Sequence, residues 1–158
     1  MKEITFKQIG TIHTNFKTKI NVPIQPTFSE SKGRVEVFQD YKNGLKDLEG
    51  FSHVVLVYLF HKSSGYDLLQ KPFLDEEKRG LFSTRSPRRP NPIGLSTVEL
   101  EKIEDNILHV KGLDIIDSTP LLDIKPYIKD FEDLGKIRLG WIKGKIKDNH
   151  KSDERFGE

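Results

Sequence analysis

The stretch HVVLVYLFH, residues 53–61, is the strongest core element of the chain. Its β-branched and aromatic residues run without alternation, which is typical of a strand covered on both faces. A histidine stands at each end. His53 is expected to be a strand-end or core histidine, whereas His61 precedes Lys62 where the apolar run stops and is the better site candidate.

Strand patterns continue on both sides of this stretch. Alternating or β-rich composition predicts five further strands, over residues 4–12, 33–39, 95–103, 107–113 and 137–146. Residues 41–50 are turn-like, with room for one helical turn, and residues 63–78 form a long polar excursion. Six or seven strands with almost no helix favour an all-β fold, a barrel or a sandwich.

Composition limits the classes of function. The 158 residues fit one domain, and the net charge of +2 means that an anionic partner must be met by a local basic patch. The chain has no cysteine, which excludes disulfides and thiolate chemistry and fits a cytoplasmic protein. The N-terminus has no apolar signal core, and the longest apolar run is too short to span a membrane.

The loop GLFSTRSPRRPNPIGLS, residues 80–96, holds a concentration of arginines between prolines. Because each proline fixes its own φ and restricts the preceding residue, such a loop can hold guanidinium groups in set directions. Bidentate contacts to phosphate or carboxylate are then available. Basic side chains with nearby aromatic rings suit an RNA loop, and the set comprises Arg85, Arg88, Arg89, Lys125, Phe82 and Tyr127.

Other kinds of site are weaker candidates. Asp114, Asp117 and Asp123 could bind a divalent cation, but such aspartates more often cap turns, and no metal site is predicted. The sequence has no nucleophile elbow for a Ser-His-Asp triad and no GxGxxG after a strand.

The motifs TRSPRRPNPIGLS and DIIDSTPLLDIKPYI closely resemble the TsaA-like family, also called the TrmO or YaeB family. IGTI, PIQP, GLKDLEGFSH and FH fit the same pattern in the same order. The resemblance implies a small antiparallel β-barrel and an S-adenosyl-L-methionine-dependent tRNA methyltransferase. It also implies a cytoplasmic homodimer whose substrate is the exocyclic amine nitrogen of threonylcarbamoyl-adenosine beside the anticodon. A non-catalytic RNA-binding barrel, or a methyltransferase for a related small substrate, is the alternative.

The resemblance also implies site residues. The cofactor set carried over from the family is Pro23, Ile24, Gln25, His61, Lys62, Arg85, Leu95, Gly112, Leu113 and Asp114. We expect His61 or Asp114 to accept the proton that the target nitrogen loses. The residues expected to contact substrate RNA are Arg88, Arg89, Asn91, Lys125 and Tyr127.

The chain departs from the family pattern at two positions. Ser118 stands where the family usually has glycine, which suggests a positive φ that serine tolerates poorly. Ile24 stands where many members have a basic residue. Residues 1–146 are assigned to the barrel domain and residues 147–158 to a charged C-terminal tail, whose SDERF resembles a short terminal motif of the family.

Overall fold

The structure, a computed structural model, describes residues 1–18, 20 and 30–146. In this part of the chain there are eight strands: β1 (Gly10–His13), β2 (Lys32–Val37), β3 (His53–Leu59), β4 (Leu69–Gln70), β5 (Arg79–Gly80), β6 (Ile93–Glu104), β7 (Ile107–Lys111) and β8 (Thr119–Pro126). Its helical pieces are the single turn α1 (Lys129–Glu132) and the 3-10 segments Gln39–Leu45, Leu48–Gly50, Leu81–Ser83 and Gly140–Ile142. None of them is long and apolar enough to cross a membrane.

Six strands close into a barrel in the order β1-β2-β7-β6-β3-β8, with β8 pairing back onto β1. Every pair is antiparallel, and β4 and β5 form a separate two-stranded piece. Closure leaves no unpaired strand edge in the barrel. The predicted all-β barrel with long loops and little helix is confirmed.

Strand β3 shows how the core is built. Val54, Leu56 and Tyr58 point into the barrel and are at most 3% exposed, whereas Val55 and Val57 on the outer face are half-buried. Residues of one strand alternate between faces, so only one face of β3 lies in the core. The expectation of complete cover on both faces was therefore too strong.

Three sequence predictions of strands need correction. The strand predicted over residues 4–12 starts only at Gly10, although Ile9 still forms backbone hydrogen bonds with Leu121 and Phe38. Residues 4–8 are not a strand, because β2 ends at Val37 and the chain turns into Gln39–Leu45. Residues 137–146 form turns and the 3-10 segment Gly140–Ile142, since the closed barrel offers no edge to a further strand. β8 was missed, because its aspartate and two prolines look like loop sequence.

The barrel has two different ends. At the end that we call the rim, β3 and β7 finish at Leu59 and Lys111, while β6 and β8 begin at Ile93 and Thr119. At the opposite end, the far end, lies the tight turn between β6 and β7 around Asp105. The stretch of residues 80–96, which we call the arginine loop, and the segment before β8 both enter the barrel at the rim.

Candidate active site

A chain of hydrogen bonds joins three strand and loop residues at the rim. The Tyr58 hydroxyl lies 2.9 Å from Oγ of Ser96, and Ser96 Oγ donates to Oδ1 of Asp114 at 2.6 Å. Tyr58 and Ser96 are 3% and 2% exposed. The chain therefore runs from the barrel core to a carboxyl group in the segment between β7 and β8.

Gly94 makes the position of the Tyr58 ring possible. Tyr58 and Gly94 are directly paired across β3 and β6, and a Cβ at Gly94 would lie 2.3 Å from Cε2 of Tyr58. Such an approach is far shorter than van der Waals contact, so any side chain here would displace the ring. The glycine of the PNPIGLS stretch is thus a packing requirement of the site.

Asp114 is an unusually basic carboxyl group. Burial raises its pKa to about 7, although the hydrogen bond from Ser96 and the positive charge of Arg85 act in the opposite direction. Burial, followed by the charge of Asp114, also raises the pKa of Tyr58 well above its usual value. At neutral pH, Tyr58 therefore keeps its proton and Asp114 can either hold or release one.

His61 lies where β3 has just ended, half-buried beside Thr119. Thr119 Oγ1 gives its only hydrogen to the carbonyl oxygen of Ile116 at 2.7 Å, so its 3.2 Å contact with His61 requires a hydrogen on Nδ1 of the ring. Nε2 is then the acceptor nitrogen of the neutral ring. Burial, followed by the charge of Lys62, lowers the pKa of His61, which favours that neutral form.

The segment that carries Asp114 is held by backbone and side-chain contacts. Gly112 has φ of 88° and donates its N–H to the carbonyl oxygen of Ser31 at 2.9 Å. Asp117 accepts from the Thr14 N–H at 2.9 Å and from Lys17 Nζ at 2.6 Å. The hydrogen bond from Lys17 contributes most to lowering the pKa of Asp117 to about 2. Asp117 is therefore a turn-capping carboxylate.

Ser118 has φ of 63°, in the left-handed region that favours glycine. This is the geometry expected from the glycine of the family pattern at that position. Ser118 is exposed, and its hydroxyl donates to Oδ2 of Asp117 at 3.3 Å. The turn thus has the positive φ that the glycine pattern predicts, with a strained serine in it.

The arginine loop is braced by one of its own arginines. Arg89 Nη1 donates to the carbonyl oxygens of Thr84 at 2.9 Å and Ser86 at 3.3 Å, and its guanidinium lies 5.8 Å from the centre of the Phe82 ring. Trp141 Nε1 donates to the carbonyl oxygen of Ser83 at 2.8 Å and so ties the later chain to the start of the loop. Arg89 is partly a structural residue, which the sequence did not indicate.

The other predicted contact residues of the loop differ in exposure. Arg85 is exposed yet close enough to act on the pKa values of Asp114 and Tyr58. Arg88 is half-buried, 3.7 Å from Asp67, and its Nε has no partner among the described residues. Asn91 is exposed. Arg88 also lines an open cleft of about 540 Å³ beside β4, a cleft that contains neither Asp114 nor His61.

Two predicted RNA contacts lie at the other end of the molecule. Lys125 pairs with Val55 inside β8 and forms an ion pair with Asp123 at 2.8 Å, and the Tyr127 N–H bonds the carbonyl oxygen of His53. Both lie towards the far end, whereas His61, Asp114 and Arg85 are grouped at the rim. The structure does not bring Lys125 and Tyr127 together with that group.

The predicted cofactor residues fall into three groups. His61, Lys62, Arg85, Gly112 and Asp114 lie at or beside the rim. Leu95 is 58% exposed on the outer face of β6, and Leu113 is fully buried, so its side chain belongs to the core. Pro23, Ile24 and Gln25 lie outside the described residues, as does the tail of residues 147–158.

Tyr58, Ser96 and Thr119 are site residues that the sequence did not indicate. A tyrosine that pairs with Gly94 and a serine that pairs with Leu56 were a usable signal, because buried hydroxyl groups need partners. The partner Asp114 could not be identified without the barrel closure. Within the described residues, no group of three His, Asp or Glu side chains is arranged for a metal ion.

Comparison with known proteins places these residues in a family. The model of the tRNA-methyltransferase O N-terminal domain matches residues 11–133. A protein of Pyrococcus abyssi named as a probable S-adenosyl-L-methionine-binding protein is 46% identical over 156 residues, covering 97% of this chain and 85% of that protein. The crystal structure of TrmO from Pseudomonas aeruginosa superposes with a TM-score of 0.75 at 34% identity, covering 88% of this chain.

Relatives named as enzymes are longer. The tRNA (adenine(37)-N6)-methyltransferase of Escherichia coli is 38% identical over 145 residues, which cover 85% of this chain and 62% of that enzyme. The match likewise covers 62% of the Pseudomonas aeruginosa TrmO chain. This chain therefore spans less than two thirds of those two proteins, but most of the archaeal relative.

Proposed function

The chain belongs to the family of the tRNA-methyltransferase O N-terminal domain, and from this premise we propose that it is an S-adenosyl-L-methionine-dependent tRNA methyltransferase. The target that we propose is the exocyclic amine nitrogen of threonylcarbamoyl-adenosine beside the anticodon. The observation that carries the proposal is that the family match, residues 11–133, includes every described residue of the rim site. The names of the archaeal and bacterial relatives support the cofactor and the reaction class.

The chemistry of the rim residues fits a cationic cofactor that also carries a carboxylate. Asp114 has a pKa of about 7, so a positive charge beside it would favour the ionised carboxylate. Lys62 and Arg85 are exposed cations at the same end, suited to an anionic group. When bound, S-adenosyl-L-methionine supplies the methyl group of a sulfonium, which leaves a neutral thioether.

The protein's own residues have two tasks in this reaction. One is to hold the target nitrogen in line with the methyl group, which can supply much of the acceleration. The other is to take the proton that the nitrogen loses, and Asp114 and Nε2 of His61 are the two acceptors that the rim offers.

Arg85 supplies positive charge beside this site, and Arg88 supplies it in the cleft beside β4. Their guanidinium groups are suited to the carboxylate of the threonyl group and to anticodon-loop phosphates. Arg89 is tied to Thr84 and Ser86 through Nη1, and we assign it to holding the loop in shape as well as to phosphate contact.

The proposal includes a cytoplasmic homodimer. Apolar side chains that are at least 47% exposed follow the barrel, and these support a surface that another copy would cover: Phe131, Leu134, Ile137, Leu139 and Ile146. Serial dilution with simultaneous measurement of mass and methylation rate tests this part. A fully active monomer would remove the dimer from the proposal.

The direct test is a methylation assay read by nucleoside mass spectrometry. The protein and S-adenosyl-L-methionine are incubated with two batches of tRNA, one with threonylcarbamoyl-adenosine and one without it. We expect one added methyl group on that nucleoside alone. Methylation of unmodified adenosine would correct the substrate, and no methylation in either batch would leave an RNA-binding or cofactor-binding barrel.

A further inference from the structure

The hydroxyl groups of Tyr58 and Ser96 have only one hydrogen each, so the direction of their chain can be worked out. Ser96 lies 2.6 Å from Oδ1 of Asp114, a short distance typical of a hydroxyl that donates to a carboxylate. Its hydrogen is then used, and the 2.9 Å contact with Tyr58 requires Tyr58 to be the donor. With Asp114 ionised, the chain runs from Tyr58 through Ser96 to Oδ1.

Reversing this chain would be costly. If Oδ1 carried a proton and donated to Ser96, one hydroxyl hydrogen would need a new acceptor. It would be the Tyr58 hydrogen if Ser96 donated to Tyr58, or the hydrogen of Ser96, which is 2% exposed, if Ser96 accepted from both neighbours. The Tyr58 side chain is 3% exposed within the apolar core, between Leu56 and the closely packed Gly94. A hydroxyl left without an acceptor there loses a hydrogen bond that water cannot replace.

Protonation at Oδ2 avoids this cost. Oδ1 can accept from Ser96 whether Asp114 is ionised or protonated on Oδ2, so the proton can come and go without moving a hydrogen of the chain. The charged and titratable groups that act on this carboxyl are Arg85, from the arginine loop, and Tyr58, from β3. Arg85 favours the carboxylate, in the same sense as Ser96.

We propose that the chain from Tyr58 through Ser96 fixes Oδ1 of Asp114 as a permanent acceptor, and that Oδ2 takes the proton released by the target nitrogen. Ser96 and Tyr58 are then positioning residues, and Asp114 is the base. This inference rests on the proposed function. It selects between the two acceptors at the rim and assigns roles to two hydroxyl groups.

The proton balance of the step is simple. The nitrogen forms a bond to the methyl carbon and loses one hydrogen as a proton, while the electron pair of the N–H bond stays on nitrogen. Asp114 begins as the carboxylate and ends as the carboxylic acid. Its proton then passes to solvent at the rim, where the Asp114 residue is partly exposed although its carboxyl group is shielded enough for burial to raise its pKa.

The test of the hydroxyl chain compares three variants with the wild-type protein, and a fourth, Thr119→Val, tests the role of His61. Ser96→Ala removes the donor to Oδ1, Tyr58→Phe removes the donor to Ser96, and Ser96→Thr keeps a hydroxyl as the matched control. The Asp114 titration is measured by carboxyl-carbon NMR without cofactor or RNA. In parallel, the pH dependence of kcat for tRNA methylation gives the midpoint of the acidic limb. Thermal melting checks that each variant is folded.

The sign of the titration shift decides the direction of the chain. If Ser96 donates to the carboxylate, Ser96→Ala raises the Asp114 midpoint by about one pH unit, with a smaller rise for Tyr58→Phe. Ser96→Thr should stay close to the wild type. A fall in the midpoint, or no change in Ser96→Ala, would mean that the chain does not donate to the carboxylate and would overturn the inference.

The rate profile decides the identity of the base. The acidic limb of kcat should move upwards with the Asp114 titration in Ser96→Ala. Thr119→Val removes the contact that orients His61. If the midpoint of the acidic limb moves in Thr119→Val and not in Ser96→Ala, His61 is the acceptor and the inference is overturned. A wild-type protein that methylates no tRNA at any pH would overturn the proposed function and the base assignment, whereas the NMR result would still stand for the hydroxyl chain.

Discussion

The two ends of the barrel shift the pKa of a carboxyl group in opposite directions. At the rim, Asp114 is withdrawn from water beside Ser96, and burial raises its pKa to about 7. At the far end, Asp105 is exposed beside Lys42, and the hydrogen bond from Lys42 lowers the pKa of Asp105. The same six strands thus support a carboxyl group that can exchange a proton near neutrality and another that stays ionised.

The difference between the two ends indicates that the reactive groups of the barrel lie at the rim. Exposed ion pairs such as that of Lys102 with Glu104 contribute little and are screened by salt. A carboxyl group that is partly withdrawn from water and accepts a fixed hydrogen bond, as Asp114 does from Ser96, lowers the stability of the folded protein. Such groups are typical of functional sites. We expect perturbations at the rim to have large effects and matched perturbations elsewhere to have small ones.

The largest effect is expected for Gly94→Ala. The new Cβ would lie 2.3 Å from the Tyr58 ring, so the ring must leave its place and the chain to Asp114 must break. We expect the free energy of unfolding to fall by about 2 to 3 kcal/mol, measured by urea denaturation. Gly44→Ala is the control, because nothing lies within 4 Å of a Cβ there. Equal stabilities of the two variants would show that the ring is not tightly held.

Asp114→Asn is expected to change how stability depends on pH. The folded protein holds the Asp114 proton up to about pH 7, whereas the unfolded chain releases it near the ordinary value of 3.8, so wild-type stability falls as the pH rises between these values. The variant lacks this loss, and we expect it to be more stable than the wild type at pH 8, on the order of 2 kcal/mol.

Asp105→Asn is the matched change at the far end. The Asp105 carboxyl has a lowered pKa and is ionised in both folded and unfolded protein above about pH 5. Its removal should therefore leave the slope between pH 5 and pH 8 as in the wild type. Chemical denaturation across this range measures both variants, and a wild-type slope retained in Asp114→Asn would contradict the raised pKa.

The next prediction concerns the basic residues. Arg89→Ala should raise the KM for tRNA and reduce the slope of log affinity against log salt by about one, through loss of a phosphate contact and of the loop brace. Lys125→Ala, in β8 towards the far end, should leave both quantities close to wild type. If Lys125→Ala had the larger effect, the RNA would bind at the far end and the rim assignment would be wrong.

The smallest effect is expected for Ser118→Gly. Glycine adopts the φ of 63° without steric cost, and relief of this strain should stabilise the protein by about 0.5 to 1 kcal/mol. Asp105 has φ of 55°, but aspartate tolerates this region better and also pairs with Lys42, so Asp105→Gly should gain less. Thermal unfolding of both variants measures the difference, and a loss of stability in Ser118→Gly would show that Ser118 holds Asp117 in place.

The fold was largely predictable from local patterns. The run around β3 and the alternation in β2, β6 and β7 identify strands because one face must be apolar. β8 was missed because Pro120 and Pro126 break the usual composition, and their acceptance depends on partners that only the closed barrel supplies. The assignment of residues 137–146 to a strand was wrong, because local composition cannot show that the closed barrel has no free strand edge left for them to pair with.

The site was predictable only as separate residues. His61, Arg85 and Asp114 came from motifs, and the expected positive φ at residue 118 is confirmed. Tyr58 and Ser96 could not be connected to Asp114, because β3, β6 and the segment after β7 meet only through long-range pairing. Lys125 was grouped with the arginines by charge alone, and the path of β8 separates them.

The most direct measurement of the central claim is single-turnover methylation of threonylcarbamoyl-adenosine-containing tRNA by wild-type protein and by Asp114→Asn at saturating cofactor. We predict one methyl group transferred by the wild type and a rate at least about 100-fold lower in the variant, as expected for loss of a general base. Calorimetric binding of S-adenosyl-L-methionine by the variant would separate loss of chemistry from loss of cofactor. Equal rates in the two proteins would contradict the role of Asp114 and the chemical assignment of the rim.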